Sequence, residues 1–170
     1  MAQRAETPVE TDDGRHDFDF FYGKWRQRNR KRADLLVRDD ADWIEFESFS
    51  EAMPILGGLG NIDTYKAPCF PARPGFEGFS LRLFDPGTGL WRIWWASTIG
   101  QGQLDAPVAG RFRNGIGVFE CDDVVQSVPV RVRFTWKGIT ERSAVWEQAF
   151  SLDGGESWDT NWITHHARLT

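Results

Sequence analysis

Proton transfer near neutral pH calls for an imidazole or a perturbed acid, and the chain offers three histidines, His16, His165 and His166. In "SWDTNWITHHARL" strict alternation puts Trp162, Thr164, His166 and Arg168 on one side and His165 on the other. An inward His166 with Arg133 or Arg168 beside it has the parts for a cofactor-independent isomerisation, hydration or cyclisation. That chemistry has no support from a nucleophile–base spacing, a phosphate loop, a metal set or paired inward carboxylates. Glu147 falls outward by parity, and so do Arg131 and Arg133, which alternate with Val130, Val132 and Phe134. "ILGGLGNID" is glycine-rich but does not read as strand, G-x-G-x-x-G and helix. It is expected at a barrel mouth, forming a lid with the proline loop "KAPCFPARPG".

The second chemical candidate is "GKWRQRNRKR", a comb of bases suited on its face to nucleic acid. Side chains of a strand alternate, so Lys24, Arg26, Arg28, Arg30 and Arg32 share one side, while Trp25, Gln27 and Asn29 share the other. The next run, "WIEFESFSE", supplies Glu45, Glu47 and Glu51 on one face and Ile44, Phe46 and Ser48 opposite. If facing positions sum to 75, Arg30 meets Glu45, Arg28 meets Glu47 and Lys24 meets Glu51. The comb is then a solvated, charge-matched face. A net charge of −5 adds that no general attraction to polyanions is expected.

The closing hairpin sets the aromatic side. "SLDGGESW" has the form of an Asp-box turn, with Asp153, Gly154 and Gly155 as a three-residue loop. That loop predicts facing positions that sum to 308, pairing Trp146 with Trp162, Gln148 with Thr160 and Ala144 with Thr164.

These pieces need a sheet that curls. Between Trp25 and Leu169 short alternating runs follow one another, about ten in all, broken by Gly, Pro and Asp as antiparallel sandwiches and barrels are. "DPGTG", "RNG" and "KGIT" are hairpin turns. No window keeps a helical period beyond one turn in "HDFDFFYG", whose Phe18, Phe20 and Phe21 would plug the barrel. The fold expected is all-β, a single antiparallel barrel of about ten strands with a short N-terminal helical turn. Residues 1–15 are read as a disordered tail and residues 16–170 as the barrel domain.

Composition agrees. A chain of 170 residues suits one domain, and 9 Trp with 13 Phe suit strands or a lined pocket. Two isolated cysteines, Cys69 and Cys121, give no metal spacing and no disulfide framework. With no signal-like apolar core and no membrane-length run, a cytoplasmic protein is expected.

Gly23-Lys24-Trp25 matches the G-x-W motif of lipocalins and related calycin barrels, where a basic residue from the last strand covers the tryptophan. Arg168 holds that place here. From Phe18 to Arg168 the chain resembles a bacterial family with a lipocalin-like barrel, catalogued as a domain of unknown function. The resemblance is carried by "FDFFYGKW", "WIEFES", "GGLGNID", "LRLFDPGTGLW", "GRFRNGIGVFE", "VRFTW" and "WEQAFSLDGGESWDTNW". It implies a fold and no activity. Haem-binding barrels called nitrobindins carry a late-strand histidine like His166, but their G-x-W-x-G-x-G extension does not follow Trp25.

By parity the lumen should present Trp25, Gln27, Asn29, Trp91, Trp95, Phe134, Trp136, Trp146, Gln148, Trp162, Thr164 and His166. Trp25, Gln27, Asn29, Trp95, Trp136, Trp146, Gln148, Trp162 and His166 are the expected ligand-binding residues. The expected function is binding of a small amphipathic or hydrophobic molecule between aromatic walls, oriented by the amides and the imidazole. No cofactor, metal, nucleic acid or membrane span is called for, and a homodimer is the macromolecular option. The alternatives are an enzyme using the same lumen, haem binding through His166, and a barrel packed solid.

Overall fold

The computed structural model describes residues 12–38, 42–100 and 102–170. Among these residues ten strands follow a 3-10 turn at Asp19–Phe21, and a second 3-10 turn lies at Leu56–Gly58. They are β1 (Gly23–Arg32), β2 (Trp43–Ile55), β3 (Gly60–Ala67), β4 (Phe76–Asp85), β5 (Leu90–Ser97), β6 (Val108–Arg113), β7 (Ile116–Val125), β8 (Val128–Lys137), β9 (Ser143–Ser151) and β10 (Asp159–Arg168). Each strand pairs antiparallel with its neighbours in sequence, and β1 pairs with β10 to close the barrel. Closure leaves each strand one lumenal and one outer face, so the sequence alternation becomes an inside and an outside. Most of the N-terminal tail lies outside the described residues. Of its last residues, Gly14 offers its carbonyl to the Trp91 indole N–H at 2.9 Å.

The β1–β2 register is the one the charges predict, with Arg30 opposite Glu45, Arg28 opposite Glu47 and Lys24 opposite Glu51. Two ion pairs form on this outer face, Arg30 with Glu45 at 3.3 Å and, diagonally, Arg26 with Glu47. Arg32 departs from the expected solvated comb. At the strand end its guanidinium turns onto Asp159 at 2.6 and 3.0 Å and onto the Val37 carbonyl, and it is buried. Lys31, its neighbour of opposite parity, continues the inner face of β1.

The β9–β10 register differs from the expectation. Trp162 faces Gln148, Thr164 faces Trp146 and His166 faces Ala144, two positions further on than the short loop would give. Two causes are visible. The Asp153 carboxylate accepts from Ser151 Oγ at 2.7 Å and from the Ser157 N–H at 2.9 Å, which knots residues 152–158 into a longer loop. A bulge between Thr160 and Trp162 then tucks Asn161 fully inside, where it accepts from Gln148 and donates to the Leu35 carbonyl. From Trp162 onward the net slip is two residues, so Trp162, Thr164 and His166 keep the inner face, while Asn161 at the bulge changes sides. Trp146 and Trp162 still meet edge to face, 5.4 Å between centroids.

One end of the barrel is sealed. Phe18, Phe21, Trp25 and Trp91 are all at most 2% exposed there, Phe21 stacking on Trp25 at 5.6 Å. Arg168 caps the stack, its guanidinium 4.2 Å over the Trp25 ring and its N–H groups on the carbonyls of Phe20, Tyr22 and Glu141. Gly23 takes φ +102°, and a Cβ there would come within 3.1 Å of the Arg168 guanidinium, which accounts for the glycine of the motif. The glycine-rich turn at residues 56–59 also belongs to this end, because it joins the bottom of β2 to the bottom of β3. The proline loop at residues 68–75 joins the tops of β3 and β4, so the two segments cannot share a lid. Phe70 of that loop instead packs down on Phe46 at 4.4 Å.

Candidate functional site

Above the plug the barrel is not filled. A cavity with about 110 Å³ open to the centre of a water molecule lies among strands β1, β3, β4, β5, β8, β9 and β10. One water needs roughly 10–15 Å³ by that measure, so several would fit. Its wall includes Trp95, Phe134, Trp146 and Trp162, which point inward yet stay only half-buried. Trp95 lies across Gly78 so closely that a Cβ there would collide with the indole. The wall is weakest between β5 and β6, where only Trp91–Ile93 and Val108–Gly110 pair. Above that seam the exposed Asp105 borders the cavity, its N–H on the Trp95 carbonyl at 2.8 Å.

Of the residues expected at a binding site, Gln27, Trp95, Trp136, Trp146, Gln148, Trp162 and His166 line this cavity. Trp25 and Asn29 do not. Trp25 is shut beneath Phe21, its indole N–H on the Phe21 carbonyl at 2.7 Å. Asn29 lies behind the wall as a hub. Its side-chain oxygen accepts from Tyr65 at 3.1 Å, Trp162 at 3.1 Å and Thr164 at 2.9 Å, and its amide donates to Ser48 at 2.8 Å. Ser48 donates in turn to Gln27 at 2.7 Å, and Gln27 to Ser50 at 3.1 Å. This chain of bonds fixes the orientation of Trp162 and Gln27, because each amide is left with one arrangement that satisfies its neighbours.

His166 sits at the floor, its ring 5.0 Å from Trp136, 5.5 Å from Phe21 and 6.1 Å from Trp25. Burial among these rings pushes its pKa down to about 3, with backbone groups of Ala144 and Thr164 working the other way. It is therefore neutral at physiological pH. The arginine near it is neither of those expected. Arg133 points out, bonded to Glu120 at 2.7 Å and stacked 3.7 Å over Trp158, while Arg168 caps the sealed end.

The arginine that lines the cavity is Arg82 on β4, 4% exposed and paired with the equally buried Asp63 of β3. Burial raises the Asp63 carboxyl pKa, and Arg82 and Ser80 pull against that shift. "SLRLF" hides this pair, because a Leu-Arg-Leu alternation suggests leucines in and arginine out. A signal was nonetheless present. The "DPGTG" hairpin sets Asp85 against Leu90 and hence Ser80 against Trp95, so an inward Trp95 carries Ser80 and Arg82 inward with it. Lys31 was also missed. It stands over Trp162 at 5.1 Å and Phe70 at 5.9 Å, and burial lowers its pKa.

No family model matches the chain, and no curated protein matches it. Among solved structures it is similar to the S-type phycobiliprotein lyase CPES from Guillardia theta, with a TM-score of 0.63 at 9% identity over 96% of this chain and 99% of that one. At that identity the likeness extends to the barrel fold. Among the described residues no helix is long and apolar enough to cross a membrane.

Proposed function

We propose that the protein binds a small, flat, amphipathic molecule non-covalently within the barrel. The observation that carries this reading is the state of Trp95, Phe134, Trp146 and Trp162, all turned inward and all left half-buried around open space. A barrel packed for stability alone would bury such rings as it buries Trp25 and Trp91. Aromatic walls give contact area at little conformational cost, and Gln27 and Gln148 add directional contacts. The barrel likeness to a phycobiliprotein lyase is compatible with such a ligand.

Titration with a panel of flat aromatic amphiphiles tests the reading. A binder should quench tryptophan fluorescence saturably and raise the melting temperature, by the equivalent of about 2.7 kcal/mol at a hundredfold excess over Kd. A panel that moves neither signal would overturn the reading. A Soret band on haem addition that His166→Ala abolishes would replace this reading with haem ligation. Turnover lost in that variant while binding persists would point to catalysis.

A further inference from the structure

Resting on that reading, we infer that the ligand enters with a neutral hydrogen-bond acceptor, a ketone or lactam carbonyl, leading, and docks it on the N–H groups of Trp136 and Arg82 beside His166. Buried polar atoms in folded proteins are nearly always paired. Here Trp136 Nε1, Arg82 Nε and His166 Nδ1 are buried without a partner, and all three residues line the one cavity. The side chains that carry them are neighbours. The Arg82 guanidinium lies 6.0 Å from the Trp136 ring, and that ring 5.0 Å from the His166 ring. Both hydrogen bonds of Arg82 to Asn61 and Asp63 use Nη1, which leaves its Nε edge free.

Indole and guanidinium N–H groups only donate, so the missing partner must accept. Charge decides which acceptor. Asp63 already neutralises Arg82, His166 is held neutral by burial, and Asp105 adds a negative charge at the rim. A carboxylate brought to the floor would be an unpaired buried anion, whereas a carbonyl oxygen satisfies the donors without adding charge. Lys31 does not alter this balance at the floor. It lies four residues along β1 from Gln27, the residue opposite His166, or ~13 Å away at strand spacing, and meets the trailing end of a ligand.

Indane, 1-indanone and indane-1-carboxylate share one ring skeleton and test the inference at pH 7. The ketone should bind roughly tenfold tighter than the hydrocarbon, with the carboxylate weakest. The indole N–H resonance of Trp136, assigned by its loss in Trp136→Phe, should move downfield with the ketone and stay in place with indane. Trp136→Phe keeps a ring in the wall but removes the donor, so it should lower ketone affinity more than indane affinity and remove most of the ketone preference. If that variant proves unstable, the ratio of ketone to hydrocarbon affinity in the wild-type protein decides alone. Equal affinity for indane and indanone with an unmoved Trp136 signal overturns the inference and leaves the binding pocket standing. A carboxylate that binds tighter than the ketone overturns the neutral acceptor. Binding of none of the three removes the pocket itself, and with it the reading underneath.

Discussion

The sealed end and the cavity use the same residue types to opposite effect. At the sealed end Trp25 is fully enclosed, donates to the Phe21 carbonyl and lies under a guanidinium that is itself satisfied by three carbonyls. In the cavity wall Trp146 and Trp162 remain half-buried, and at its floor Trp136 has an indole N–H with no partner. One region is finished as protein alone. The other is finished only when something else is added, and the difference lies in packing and hydrogen-bond satisfaction rather than in hydrophobicity.

The sharpest way to break this contrast is Trp25→Ala. It empties a site with no spare room and strips the Arg168 cap of its ring, so a loss of about 3–5 kcal/mol is expected in urea unfolding. A loss below about 1 kcal/mol would mean that the sealed end is no better packed than the cavity.

The seam between the regions is His166, and acid should open it. Its pKa is about 3 in the folded chain against an ordinary 6.5, so over that interval the unfolded chain takes up a proton that the folded chain refuses. The stability linked to this group is intact above about pH 6.5 and drains away as pH falls toward 3, amounting to a few kcal/mol at most. His166→Gln should flatten the acid limb of the stability–pH curve between those values. An unchanged limb would place the acid sensitivity elsewhere, with the buried Asp63–Arg82 pair as the next group to replace.

How much of this contrast the sequence carries depends on the residue. Which face each side chain takes was legible where a set of opposed charges set the register, as with Arg28 against Glu47. The closed end was legible through Gly23, Trp25 and Arg168. The slip at Asn161 was not, since it depends on Asp153 gathering Ser151 and Ser157 and on the Leu35 carbonyl, contacts that alternation does not encode. Nor was the depth of each inward residue. Parity placed Trp25, Asn29 and Trp146 on one surface, yet only Trp146 reaches the cavity, because the plug of Phe18 and Phe21 covers the first and Tyr65 with Trp162 covers the second. Arg82 was lost to the usual preference for leucine inside.

Trp146→Leu is expected to have the smallest effect on stability and is the counterpart of Trp25→Ala. The Trp146 indole makes edge contacts with Phe134 at 5.0 Å and Trp162 at 5.4 Å but leaves part of its surface on the cavity. Leucine keeps an apolar side chain on β9 and enlarges a space that is already open, so no new enclosed void forms and the cavity penalty seen in packed cores does not apply. The cost should stay below about 1 kcal/mol, in the range of an edge-to-face pair. Affinity for a flat aromatic ligand should fall several-fold over the same substitution, because the ring lost is part of the wall the ligand would lie against. A protein as destabilised by Trp146→Leu as by Trp25→Ala would show the indole to be a structural element of the core. The distinction between the finished and the unfinished end would then disappear.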